Sequence, residues 1–487
     1  MELRPYRAMK ALAILILLAG TAAAQQTPPP SSDAQPSSSE ENLRREVDEL
    51  RARQRWLEQR LGATEARLPP ARSTQASSSR APSVPPEAMP SDDSIPRYRF
   101  GHGGFVFGSA DGRNEIRFRL TLHVDGRAYF GGTQPIADTF LIRRARPFIE
   151  GTLWGVIGFR LMPDFALGQA VLQDGYIDLK PWTWLRLRVG KFMVPIGLEW
   201  LQSDSTILMV ERSLATDLVP FRDLGVMLMG EVGNGTFSYQ LAMVNGAIDS
   251  GNGPDLDLHS EKDYVGRVFL RPLRQTRLAP LTDLGFGVAG SYGSVKGVAT
   301  NSNLPTYRSP GQQTIFTYIN NPTTPDAALA AGDRWRVTPQ LYWYIGPVGL
   351  MAEYVLSAQR VSRLGTTTDL QQQAWNLTAS FVMTLEHASY EGVTPKHPVD
   401  FRHKNFGAVE LTLRYSELRL DPNAFPLFAD PLSSVQSARE LTGGINWYLT
   451  DYVRFMLSFH HTNFGGGAAT GDREPENALL GRLQISL

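Results

Sequence analysis

The chain has 487 residues, 48 basic and 48 acidic side chains, a formal charge of zero and no cysteine. Zero cysteine excludes a disulfide scaffold and thiolate zinc sites, and charge balance removes the global basicity that nucleic-acid binding would call for. A mean hydropathy of -0.21 argues against a helical membrane protein.

The chain opens with Arg4, Arg7 and Lys10, then the aliphatic run ALAILILLA at 11–19 and the small residues Ala22-Ala23-Ala24. The run is too short to cross a bilayer as a helix, so residues 1–24 read as a secretory signal peptide rather than an anchor. Residues 25–39, rich in Pro, Ser and Gln, have nothing to bury and read as a flexible linker. Over 40–68 the period changes to 3.5: Leu43, Val47, Leu50, Gln54, Leu57, Leu61, Thr64 and Leu68 alternate spacings of four and three. That predicts an α-helical coiled coil of about four heptads, with a lone solvated helix as the alternative. Residues 69–99 form a second Pro/Ser-rich linker.

From residue 100 to 487 period-2 alternation dominates. In EIRFRLTLHVD, Ile116, Phe118, Leu120, Leu122 and Val124 share one parity, while Arg117, Arg119, Thr121 and His123 share the other. Similar segments surround Leu185, Leu187 and Val189; Leu241 and Met243; Val409, Leu411 and Leu413; and Leu483 and Ile485. Tight connections (KPWT at 180–183, GNGT at 233–236, IGPV at 345–348, LTD at 449–451) alternate with long polar ones after 244, at 297–333, 386–404, 420–438 and 463–477. Trp182, Trp184, Trp343, Trp447 and Tyr448 lie near the tight turns, where an aromatic girdle would sit. Short turns on one rim and long loops on the other predict an all-β, transmembrane antiparallel barrel. At roughly two dozen residues per strand and loop, the segment supplies on the order of 16 strands, wide enough for an aqueous channel.

The polar parity then faces water inside the barrel. Arg117, Arg119 and Arg127 share it on the first strand, Arg144, Arg146, Glu150 and Arg160 on the next, and Arg186 and Arg188 on the fourth. Guanidiniums in a narrow lumen attract anions, oxyanions above all, unless acids across the wall neutralise them. Residues 190–223 break the alternation and are too apolar for an exposed loop; folded inward they narrow the channel, bringing Lys191, Arg212 and Arg222 with them.

The runs FLIRRARPFIEG, LQDGYIDLKP, LRVGKFMVPIGLEW, PFRDLGVMLMGE and FGAVELTLRYSELRLD, in this order, resemble the phosphate-selective porins of the O and P type. The resemblance implies a trimer of 16-stranded barrels with arginines on the inner wall and a constricting third loop. It places Arg143 and Arg144 beside the constriction and Arg119 near another basic position. Arg482, on the last strand, reads as remote from that ring. Where a lysine is expected after the glutamate of GLE, this chain has Trp200, and it ends in Leu487 rather than an aromatic residue.

GFGVAG at 285–290 fits a dinucleotide fingerprint, but it lies within an alternating segment with no helix after it, so its glycines read as smoothing a strand face. His460 and His461 are adjacent on a strand and point to opposite faces. No cofactor, metal, nucleic acid or enzymatic chemistry is expected. The expected function is a porin in the outer membrane of a Gram-negative bacterium, in contact with its lipid, passing small anions such as phosphate. The alternatives are a general or sugar-type diffusion porin, and a structural protein whose periplasmic coiled coil contacts peptidoglycan.

Overall fold

The computed structural model describes residues 97–101, 103–131, 137–256, 260–320 and 326–487. The signal peptide, the first linker, the coiled coil and all but the end of the second linker lie outside these residues. Among the described residues strand is already present at Arg97, before the expected start at residue 100: the hairpin β1 (Arg97–Gly101) and β2 (Gly104–Gly108) pairs with the start of β3 (Glu115–Phe130).

The barrel proper runs from β3 through β4 (Thr139–Leu153), β5 (Ile157–Asp164), β6 (Val171–Trp182) and β7 (Leu185–Met193). It continues with β8 (Arg222–Val232), β9 (Phe237–Val244), β10 (Asp263–Leu270) and β11 (Asp283–Lys296). A small hairpin, β12 (Thr306–Arg308) with β13 (Thr314–Thr317), stands apart from the sheet. The wall resumes with β14 (Leu329–Ile345), β15 (Val348–Arg363), β16 (Thr366–Val382) and β17 (Ala408–Arg419). It ends with β18 (Val435–Tyr448), β19 (Val453–Ala468) and, after the two-residue β20 (Gly471–Asp472), β21 (Glu476–Ser486). Each wall strand pairs antiparallel with the next, and β21 pairs with β3 from Asn477↔Phe130 to Ser486↔Thr121. Sixteen strands among the described residues thus form a closed ring, which leaves no sheet edge along that seam.

Why these segments are strands is visible in their two faces. On β17, Leu411 and Leu413 are exposed outward while Glu410, Thr412, Arg414 and Ser416 are buried inward. On β3, Phe118 and Val124 face out, whereas His123 and Asp125 are fully buried. Apolar residues outside and hydrogen-bonded polar residues inside invert the pattern of a soluble sheet and suit a hydrocarbon surround. The glycines of 285–290 lie inside β11, as the alternation requires. Tyr448 departs from the expected girdle: it is 5% exposed and turns inward, its Oη donating to Glu410 at 2.7 Å. Trp182 and Trp184 do face outward, stacked 5.1 Å apart beside their turn.

Three features of the rims differ from expectation. The segment 154–156 is a tight turn, with Trp154 and Gly155 at positive φ, so Arg160 stands on its own strand and Arg186 and Arg188 on the fifth wall strand, not the fourth. Residues 386–404 belong to the connection 383–407 between β16 and β17, on the same rim as the short turns at 183–184 and 346–347. They fold back into the barrel: Glu386, Ala388 and Val393 are buried, and Tyr390 Oη donates to Leu198 O at 2.6 Å. A polar composition alone does not distinguish such an insert from an external loop. The two-residue turn at 364–365, conversely, sits on the long-loop rim, closed by Leu364 and Gly365 at positive φ.

Because ring closure uses only residues after 114, a chain lacking 25–96 should insert and conduct like the full one. A truncated protein that inserts but fails to conduct in planar bilayers would contradict this boundary.

Candidate functional site

The connection 194–221, between β7 and β8, is the third long loop and lies inside the barrel. Gly197, at φ 84°, makes the turn into a single helical turn, Leu198–Leu201. A helix start leaves N–H groups unpaired, and here the Glu353 carboxylate of β15 accepts from Leu198 N at 2.5 Å and Glu199 N at 3.1 Å. The apolar residues that made this segment unsuitable for a surface loop, among them Ile196, Leu214, Leu218 and Val219, are fully buried in one cluster with Tyr307, Ile315 and Phe316 of the β12–β13 hairpin. Burying a side chain of this size is worth about 1.5–3 kcal/mol, enough to hold the loop inward once its polar groups are met.

They are met by charge. Glu211 Oε1 accepts from Arg127 and from Arg143, each at 2.7 Å, and its Oε2 takes a second bond from Arg143 at 3.1 Å. Asp204 pairs with Arg144 at 3.0 Å, with Arg212 at 2.5 Å, and with Arg146. Glu199 reaches across the lumen to Arg414 at 3.1 Å, whose other arm holds Glu440 at 3.0 Å. Asn376 and Asn446 complete the attachment through Ser213 Oγ and Leu208 O. Burial alone would push the Asp204 and Glu211 carboxyls up; the surrounding guanidiniums outweigh it and hold both below the usual carboxylate range.

A β-bulge explains how two adjacent arginines serve one site. Between His123↔Arg144 and Val124↔Ile142 the register slips, leaving Arg143 as the extra residue on β4. Arg143 and Arg144 therefore both reach the loop, which strict alternation forbids. They line a cavity of about 460 Å³ together with Arg146, Arg212, Arg222 and Arg308, against Glu211, Asp217 and Asp249. Trp200, in the place of the expected lysine, stacks on Phe221 at 3.9 Å and lies under the guanidiniums of Arg212 at 4.8 Å and Arg222 at 5.6 Å. Among the described residues Asp217 has no guanidinium within ion-pair distance; it accepts from Ser250 Oγ at 3.1 Å and Arg308 N at 3.3 Å, and burial pushes its carboxyl up to about 8.

The remaining residues expected in the lumen are spread along the wall and, apart from Arg186, paired. Arg119 meets Glu150 at 3.1 Å and Leu487 O at 3.0 Å, four residues along β3 from the position opposite Arg144. Arg117 pairs with Glu115 at the short-turn end, and Arg160 with Glu150 and with Asp174 at 3.4 Å. Arg188 holds Asp178 through two bonds of 2.7 and 2.9 Å, Arg222 holds Asp174 at 2.8 Å, and Lys191 meets Asp255 at 2.6 Å. Arg186 has no carboxylate within ion-pair distance among the described residues. Arg482 is not remote: it opposes Asp125 across the closing seam, binds it at 2.7 and 2.8 Å, and stands 3.8 Å from Glu211. Sequence reading missed it because the β21–β3 register exists only in the closed ring. Acids across the wall, Glu150 among them, were expected as partners, but the pair Arg334 and Arg336, which hold Asp249 and Asp263, was missed. Their inward parity was available, but their partners were not.

Removing one member of a buried ion network leaves the others uncompensated, a loss on the order of 3 kcal/mol. Glu211→Gln should therefore lower the unfolding temperature of the detergent-solubilised barrel and expose 194–221 to protease. Asp369→Asn, in an exposed pair with Arg360, should change little. Equal effects of the two substitutions would show that Glu211 does not hold the loop.

Several solved structures are similar to the chain at low identity. A loop L8 deletion mutant of OmpT from Vibrio cholerae is 10% identical, covering 77% of this chain and 100% of its own, with a TM-score of 0.48. OmpT of Vibrio cholerae in a trimer form is 8% identical over 77% and 99%, with a TM-score of 0.47. An anion-selective porin from Comamonas acidovorans is 12% identical over 77% and 100%, at 0.48. No curated protein matches the chain. The family described as phosphate-selective porin O and P matches residues 115–486, from the first wall strand to the end of the last. The chain belongs to the phosphate-selective porin O and P family.

Proposed function

We propose that the chain forms a water-filled channel in the outer membrane of a Gram-negative bacterium, through which small anions, phosphate among them, diffuse passively. One observation carries this reading: the cavity beside the inward loop is lined by six arginines and three acids. One of those acids, Asp217, keeps its proton at neutral pH, which widens the excess. The Debye length is ~8 Å at physiological salt, comparable with the radius of such a pore, so lining charges act on a passing ion with little screening. Guanidiniums offer paired N–H groups to a tetrahedral oxyanion, and a fixed carboxylate partner orients them without removing every donor. A homotrimer, the assembly the family resemblance implies, and a periplasmic role for the N-terminal segment belong to the same proposal.

The second reading, a general diffusion porin with little charge preference, is favoured by the pairing itself. Arg127, Arg143, Arg144, Arg146, Arg160, Arg188, Arg212 and Arg222 each have a carboxylate partner. The two readings differ in what the excess does.

Two measurements separate them. Arg143→Ala with Arg144→Ala should cut the chloride/potassium permeability ratio several-fold and weaken block of chloride current by phosphate. Arg360→Ala, at the rim, should leave both near the parent value. A ratio untouched by the double substitution would move the filter elsewhere. The second measurement is pH. Below about 8 Asp217 is neutral; raising pH through that value ionises it, adds one negative charge to the cavity and should reduce anion preference between pH 7 and 9. Asp217→Asn should remove this step, and a step that persists in the variant would assign it to another group.

A further inference from the structure

A second cavity, of about 380 Å³, lies between β10, β14 and the inserted connection 383–407, on the short-turn side of the third loop. One side of its wall is aromatic, formed by Phe269, Tyr342, Tyr344 and Tyr390. Phe269 and Tyr342 lie 5.0 Å apart, Tyr342 and Tyr344 5.5 Å, and Tyr342 stacks on Tyr390 at 5.4 Å. Gly285 of β11 leaves room for the rings, since a Cβ there would lie 2.6 Å from Phe269 Cε1 and 2.7 Å from Tyr342 Cε2. Water and inorganic ions gain little from ring faces; a flat apolar solute gains dispersion and stacking.

Arg267 completes the wall, its guanidinium carbon 4.8 Å from the centre of the Phe269 ring. Its Nε donates to Gln340 Oε1 at 3.0 Å and its Nη1 to Gln240 Oε1 at 3.3 Å. Both acceptors are neutral amides, and among the described residues no carboxylate comes within ion-pair distance. This sets Arg267 apart from the arginines of the constriction, where carboxylates offset the charge. Amides fix a guanidinium in place and leave its charge uncompensated, which suits an anion that comes and goes. Tyr344, 5% exposed, adds an Oη with no hydrogen-bond partner among the described residues. The other lining charges are two arginines, Arg271 and Arg274, against three acids, Glu231, Asp283 and Glu391, so the lining as a whole is balanced and the attraction on an anion is local to Arg267.

We propose that this cavity is a transport subsite for a benzoate-like aromatic carboxylate, with the carboxylate on Arg267 and the ring against Phe269 and Tyr342. The proposal rests on the channel reading above, and its test separates the two. In planar bilayers, benzoate should block chloride current at about one-tenth the concentration of acetate, the scale of one ring contact. Arg267→Gln should abolish that ratio, whereas the double substitution at Arg143 and Arg144 should keep it. If Arg267→Gln does not insert, Tyr390→Leu, in the connection rather than a strand, should lower the ratio. A parent channel that conducts but treats benzoate and acetate alike overturns the subsite and leaves the channel standing. An unchanged ratio in Arg267→Gln, or in Tyr390→Leu, also overturns it. A parent that inserts and does not conduct overturns both.

Discussion

The structure depends on the grip of Glu211 on Arg143 and Arg127. A loop placed inside a polar-lined barrel has no lipid to meet its apolar side chains and must bring its own core. The β12–β13 hairpin supplies that core, with Phe316 and Ile315 fully buried against Leu214 and Val219. Its acids must find cations on the wall at the same time. Glu211 and Asp204 do so on the neighbouring strands β3 and β4 and Glu199 on β17, so the loop is fixed at two places around the ring. Removing any one charge unbalances the others, which is why so many wall residues are charged yet buried.

The same arrangement explains how a chain of zero net charge can hold a basic cavity. Acids such as Asp164, Asp174 and Asp204 hold the loop and the arginines in position without lining the cavity, so its lining carries six arginines against three acids. Asp249 shows the division of labour. Its Oδ1 meets Arg336 at 2.5 Å and its Oδ2 takes a bond from Ser357 at 2.6 Å, so it braces the wall as well as lining the cavity. Sequence counting over the whole chain cannot see this local imbalance.

Much of the fold was legible because a barrel strand carries its two environments in alternate residues. The outward Ile116 and Phe118 and the inward Arg119 and His123 were assigned from parity alone, and the apolar break at 190–223 marked the inserted loop. What parity could not supply was pairing. Arg482 meets Asp125 only because the last strand closes on the first, and Arg143 turns inward only through a bulge. The insertion of 383–407 was hidden for a related reason. Its inward contacts, such as Gln202 Nε2 to Tyr390 O at 2.8 Å, join segments nearly two hundred residues apart. Tyr448 shows the converse, an aromatic residue beside a turn whose strand parity, rather than its type, decided its direction.

The central claim is that the surplus arginines beside the third loop set the sign of the channel's selectivity. The most direct test is the reversal potential of the unmutated protein in a planar bilayer under a potassium chloride gradient at pH 7. The account predicts a potential displaced toward the chloride equilibrium value. A potential displaced toward the potassium value would contradict it.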